Sequence, residues 1–312
     1  MEARPNETMR DAFGKHLAAL GAERKDLVVL DADVSSSTKS SHFAAAFPGR
    51  FFNVGVAEGN MVDIAGGLAT TGYRPVVNAF AIFLALKGTD QIRNVLAYNS
   101  LPVVLAGAYG GLSDSFDGAS HQSLADIAIL RSLPGLRVIV PSDAAEACLA
   151  LDFALGCDGP VYIRLSRNVN PPLPPRDPSS SVAEIRTLRA GKDITIAATG
   201  LCVSMALEAA AALAAKGLSA EVLDVATIKP LDVDSLATSV ARTGRLVTAE
   251  EHSVIGGLGG ACAEALAETG LPFKFARVGV ADRYTESGPY AVLLAKYGIS
   301  AAAIAAKALA LA

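Results

Sequence analysis

Through most of the chain, short apolar runs rich in β-branched residues alternate with Ala-rich stretches of helical length. That alternation limits the fold more than any other feature. Runs at 27–31, 51–55, 75–80, 102–106, 137–141 and 160–164 predict strands, and the patterns near 6–21, 59–71, 87–98, 122–132 and 143–155 predict helices. The strand candidates lack strict polar alternation, so both faces of their sheet must be covered. Strands of that kind separated by helices form a parallel sheet in an α/β protein.

The rhythm breaks once. Asn168 to Ser181 reads NVNPPLPPRDPSSS, and five prolines in that span exclude a helix or a central strand. Strand patterns resume at 193–198, 220–224, 245–249 and 273–277, with helical patterns near 203–216, 257–269 and 289–310. The organisation expected is an α/β domain over 1–170, a Pro-rich linker over 171–190 and a smaller α/β domain over 191–312. A length of 312 residues suits two domains at the usual ~100–200 residues each.

Composition narrows the partners. The chain is 51% hydrophobic with mean hydropathy +0.38, which argues against disorder. A net charge of −4 and a pI near 5.6 speak against a nucleic-acid-binding or anionic-membrane surface. No apolar run approaches the ~20 residues that span a bilayer, and the start MEARPNETMRDAFG lacks the apolar core of a signal peptide. The four cysteines contain no C-x-x-C pair, so neither a zinc site nor a disulfide framework is expected. The expectation is a cytoplasmic protein with no membrane or nucleic-acid partner.

Two tempting motifs fail. Gly257-Leu258-Gly259-Gly260 begins like a dinucleotide fingerprint, but Cys262 holds the sixth position and the preceding strand ends too early. Small residues easing helix–sheet packing explain it better. Ser36-Ser37-Thr38-Lys39 fits S-x-x-K without the companion S-D-N or K-T-G elements.

The chemistry concentrates between Phe51 and His121. Glu58, in FFNVGVAEGNM, stands between a strand end and a helix, where open parallel sheets bind ligands. The plain alternative is a carboxylate favoured by a helix N-terminus. Phe80 and Phe83 follow another strand end, and such a pair is more often core than cofactor platform. Asp117, Ser120 and His121 occupy a Gly-containing polar loop, a better place for a catalytic histidine than an apolar helix face. Arg164 and Arg167 close the last strand of the first half, suited to anion contacts or simply to solubility.

The stretch FFNVGVAEGNMVDIAGGLATTGYRPVVNAFAIF, with DGASHQS, SLPGLRVIVPSD and LSRN, resembles the pyrimidine-binding domain of transketolases. AEEHSVIGGLGG and DRYTESGPYAVLLAKYGI are similar to their C-terminal domain. The resemblance implies a thiamine-diphosphate enzyme that moves a two-carbon ketol unit from a ketose phosphate to an aldehyde. It implies Glu58 at the ring nitrogen of the aminopyrimidine, Phe80 and Phe83 packed on that ring, and Asp33 lining the cofactor site. Asp117 and His121 match hydroxyl-binding positions, and Arg10, Ser37 and Arg167 match the sugar-phosphate pocket. Tyr109 stands where the family commonly has a phosphate-binding histidine, and Ala57 and Gly59 replace residues that often flank the glutamate.

The chain carries no GDG motif for Mg²⁺ (or Ca²⁺) and diphosphate, since Asp158-Gly159 follows Cys157. The resemblance therefore implies the C-terminal subunit of a split transketolase. An N-terminal subunit bearing GDG would hold the metal, and an α₂β₂ heterotetramer is expected, with homodimerisation through both domains. The β subunit of a 2-oxo-acid dehydrogenase shares both domains, but the DGASHQS loop argues for sugar chemistry. A non-catalytic subunit is the remaining reading, against which Glu58, Phe80, Asp117 and His121 stand together.

Overall fold

A computed structural model describes residues 7–312. Among them run strands β1 (Leu27–Asp31), β2 (Phe51–Asn53), β3 (Arg74–Phe80), β4 (Val104–Ala108), β5 (Arg137–Ile139) and β6 (Val161–Leu165), then β7 (Arg186–Arg189), β8 (Ile194–Ala198), β9 (Ala220–Asp224), β10 (Thr227–Lys229), β11 (Arg245–Ser253) and β12 (Lys274–Val280). The first sheet has the order β10-β5-β6-β4-β3-β1-β2 and the second β12-β11-β8-β9-β7. All pairings are parallel except β10 with β5 and β7 with β9. Every residue of β1, β4, β6, β8 and β9 is buried, which is why their sequences show no alternation.

Register builds the functional edge. Phe80 at the end of β3 aligns with Ala108 of β4, which aligns with Leu165 of β6. The residues that follow these ends therefore leave the sheet side by side. In open α/β sheets this carboxyl edge is where ligands bind.

The Pro-rich segment is ordered and spans the two sheets. The buried Arg176 donates to Glu146 at 2.9 Å and to the carbonyls of Ser181 and Glu184. The Leu173 amide donates to Asp143 at 2.8 Å, and β7, inside the expected 171–190 linker, already belongs to the second sheet. Strand β10, from the second half, closes an edge of the first sheet. Neither short strand was legible, because their pairing partners lie far away in sequence. Helix Val233–Thr243 also went unread, although Asp232 caps it through the Ser235 amide and Gly244 ends it in the left-handed conformation at φ +64°.

One expectation about membranes needs correction. Residues Tyr290–Leu311 form a 22-residue stretch long and apolar enough, by composition, to cross a bilayer. The structure breaks it into helices Tyr290–Lys296 and Ala301–Leu311, with Gly298 at φ +76° and Ser300 capping the second. Ile304 and Ala308 pack into the core around β8 and helix Cys202–Ala214.

A buried polar network joins the two units. Arg164 of β6 donates through Nε to Asp126 at 2.8 Å and through Nη2 to the carbonyls of Ser123 at 2.7 Å and Glu251 at 3.0 Å. Tyr162 donates to the same Asp126 oxygen at 2.6 Å. The Glu251 carboxyl in turn accepts from the Leu112 amide at 2.7 Å and Tyr290 Oη at 2.9 Å.

Burial pushes Glu251 up to about 7 from an ordinary 4.5, despite the Arg164 guanidinium nearby. Burial and Asp224 do the same to Glu146. The folded protein holds protons there that the unfolded chain has released, so stability falls as pH rises from about 4.5 to 7 and levels off above. Glu251→Gln should remove part of that fall, on the order of 1–3 kcal/mol, when urea denaturation is compared at pH 5 and pH 8. An undiminished fall would contradict this.

Candidate active site

Glu58 opens helix Glu58–Thr70 just after β2, with Ala57 as its N-cap, and is buried. Its Oε2 lies 3.4 Å from Lys87 Nζ. Lys87 Nζ is also 4.5 Å from the Phe83 ring centroid. Phe83 and Lys87 sit four apart on helix Ala81–Lys87, so both side chains share one face. Phe80, which caps that helix, lies 6.0 Å from Phe83 between ring centroids, and His121 lies 5.0 Å from Phe83 and 6.2 Å from Phe80.

Tyr109 connects this aromatic group to an arginine pair. Its ring centroid is 4.5 Å from that of Phe80, 5.0 Å from the Arg10 guanidinium and 5.1 Å from that of Arg167. Arg10 Nη1 donates to Tyr109 Oη at 2.8 Å and to the Ser37 carbonyl. The Tyr109 backbone is held at φ +63°, a conformation a tyrosine rarely adopts, and the parallel edge from which it emerges fixes it there. Arg167 Nη1 donates to the buried Asp114 at 2.8 Å. Burial and the neighbouring Asp117 raise the Asp114 carboxyl above its usual range.

Of the residues singled out in the sequence, the structure links Glu58, Phe80, Phe83, His121, Arg10, Ser37 and Arg167 through these contacts, with Asp117 alongside Asp114. Ser37 meets Arg10 through its carbonyl, and its hydroxyl makes no such bond. Asp33 stands apart: it is exposed at φ +64° and accepts from Asn53 Nδ2 at 2.7 Å. Arg164 is corrected outright, since it is a buried tie between the two units and meets no ligand surface. Lys87 and Asp114 were not anticipated. The i, i+4 spacing from Phe83 was a readable signal for Lys87, whereas nothing in GLSDSFDG separated Asp114 from its loop.

The Gly257 motif resolves as packing. The Glu250 carboxylate accepts from the amides of Leu258 and Gly259 at 2.7 and 2.9 Å, capping helix Leu258–Thr269. A Cβ on Gly257 would lie 1.9 Å from Glu250 Oε2, so only glycine admits that carboxylate. The four cysteines are free and buried.

A buried carboxyl beside aromatic faces suits a flat heterocycle with a ring nitrogen and an amino group. The residues present therefore fit the pyrimidine end of thiamine diphosphate. No group of three or more His, Cys, Asp or Glu able to hold a metal occurs among the described residues.

Residues 6–172 match the sequence family described as the transketolase pyrimidine-binding domain, and residues 183–304 that of the transketolase C-terminal domain. A transketolase C-terminal section from Methanocaldococcus jannaschii is 41% identical over 95% of this chain and 94% of its own. The 6-deoxy-6-sulfo-D-fructose transketolase subunit SqwH of a Clostridium species is 39% identical over 94% of this chain and 91% of its own. A split-gene transketolase solved as an inactive β4 tetramer superposes with a TM-score of 0.90 at 44% identity, over 97% of this chain and 98% of that one.

Because Arg164 neutralises a buried Asp126, removing it strands a charge. Arg164→Met should cost about 3–5 kcal/mol in equilibrium denaturation. A loss below 1 kcal/mol would show that the tie contributes little.

Proposed function

We propose that this chain, which belongs to the transketolase family, is the C-terminal subunit of a split transketolase and contributes half of a thiamine-diphosphate active site. The observation that carries the reading is the continuity from Glu58 through Phe83, Phe80 and Tyr109 to Arg10 and Arg167. The chain of contacts then offers a carboxyl at one end and paired guanidinium groups at the other. An N-terminal subunit supplies the diphosphate and metal site, for which the described residues hold no group of three or more His, Cys, Asp or Glu. The β4 tetramer of the structural relative supports self-association of this chain. The working assembly is an α₂β₂ heterotetramer in the cytoplasm, engaging neither nucleic acid nor membrane.

When bound, thiamine diphosphate supplies the nucleophilic carbon that carries the two-carbon unit. Glu58 shares a proton with the pyrimidine ring nitrogen through its carboxyl oxygen. Phe80 and Phe83 pack on the ring and keep water from that proton. Asp117 and His121 hydrogen-bond the sugar hydroxyls, and Asp33 lines the cofactor approach. Arg10, with Ser37 and Arg167, holds a tetrahedral oxyanion at the far end of the ketose, with charge-assisted bonds of roughly 1.5–3 kcal/mol each. Tyr109 packs against both guanidinium groups and sets their spacing. The relative that acts on 6-deoxy-6-sulfo-D-fructose supports a terminal anion, phosphate or sulfonate, as the class of donor.

Purified alone, the chain should show no transfer from fructose 6-phosphate or 6-deoxy-6-sulfofructose to glyceraldehyde 3-phosphate with thiamine diphosphate and Mg²⁺. Adding the GDG-bearing subunit should restore turnover, and Glu58→Ala in that complex should lower it by at least ~10²-fold. Robust turnover by the isolated chain would overturn the split reading. Near-normal rates for Glu58→Ala would reduce Glu58 to a helix-end carboxylate.

A further inference from the structure

The loop bearing Asp117 and His121 is held in place by the second unit. Gln122, buried directly after His121, donates through Nε2 to the Glu286 carbonyl at 3.0 Å and to the Ser115 carbonyl at 3.5 Å. The Thr285 hydroxyl donates to Gln122 Oε1. The Gly288 amide donates to the Ser115 carbonyl at 3.0 Å. At the crest of the loop Gly118 adopts φ +79°, and a Cβ there would lie 2.5 Å from Ser287 Oγ. Lys296 pairs with Glu286 from the following helix. Residues 285–288, a few positions beyond β12, thus grip both ends of the loop, and Asp117 and His121 lie between the grips.

Behind the loop the protein is not filled. A groove of about 650 Å³ separates it from the second unit, lined by Leu86, Ser120, Gln122, Arg283 and Tyr284. Across this groove, the hydrogen bonds linking Gln122 and Ser115 to residues 285–288 tie the loop to the second unit.

We infer that Gln122 and Thr285 are positioning residues: through them the C-terminal unit sets where Asp117 and His121 meet the sugar hydroxyls. The inference rests on the functional reading above, and it gives the second unit a part in substrate recognition that its fold alone does not suggest. Neither Gln122 nor Thr285 touches the reacting atoms.

The test uses the reconstituted two-subunit complex and a ketose donor accepted by the wild type. Thr285→Val should raise the donor KM at least fivefold with kcat within twofold, and Thr285→Ser should restore KM. Gln122→Leu should act in the same direction as Thr285→Val. In the isolated chain, amide exchange across 115–121 should quicken at least fivefold in Thr285→Val while β3 and β4 exchange as before. An unchanged KM in both Thr285→Val and Gln122→Leu, with or without faster exchange, would overturn the positioning role. Absence of turnover in the wild-type complex would instead defeat the functional reading, so the two failures are separable.

Discussion

Arg164 is the point on which the two halves of the molecule meet. Its guanidinium leaves β6 into a space with no bulk water and donates to Asp126 Oδ2, the Ser123 carbonyl and the Glu251 carbonyl together. A buried charge is tolerable only when paired and hydrogen-bonded, and here one cation draws three segments from both units to a single locus. Asp126 opens the helix after the Asp117–His121 loop, and Glu251 lies on β11. The relation between the Asp117–His121 loop and the C-terminal unit is therefore bounded on one side by Arg164 and on the other by residues 285–288.

The site follows from the same economy of geometry. Parallel pairing of β3, β4 and β6 places Phe80, Tyr109 and Arg167 at adjacent strand exits, so residues far apart in sequence converge without any long loop reaching across. Arg10 arrives separately, from the helix Met9–Glu23, and is oriented by Tyr109 and the Ser37 carbonyl. The resulting surface is graded. One end carries the Glu58 carboxyl with Lys87 beside it, and the other carries the Arg10 and Arg167 guanidinium groups.

Much of this was legible in the sequence. The continuous apolar runs revealed buried parallel strands because burial on both faces leaves no alternation to confuse. Glu58, Phe80, Phe83 and His121 stood out by their places beside strand ends or in a polar loop, and their roles came from the resemblance alone. Arg164 was misread because an arginine at a strand end looks the same whether it faces solvent or a buried aspartate 38 positions away. Lys87 was signalled by its i, i+4 spacing from Phe83, whereas Asp114 and the Gln122–Thr285 contact depend on tertiary proximity, the last across 163 residues. The Pro-rich segment was recognised as non-helical, yet its binding to Glu146 through Arg176 required knowledge of where that carboxylate lay.

If the chain is half of an active site, its affinity for the cofactor should be incomplete alone and complete in company. On that reading Glu58 and the aromatic pair would contact only the pyrimidine, and no group of three or more His, Cys, Asp or Glu that could hold the diphosphate's metal ion occurs among the described residues. The direct measurement is calorimetric titration of thiamine diphosphate with Mg²⁺ into this chain, into the GDG-bearing subunit, and into their mixture. The account predicts tight binding, one cofactor per copy of this chain, only in the mixture, and its weakening by Glu58→Ala. Equally tight binding by this chain alone, or binding in the mixture indifferent to Glu58, would contradict it.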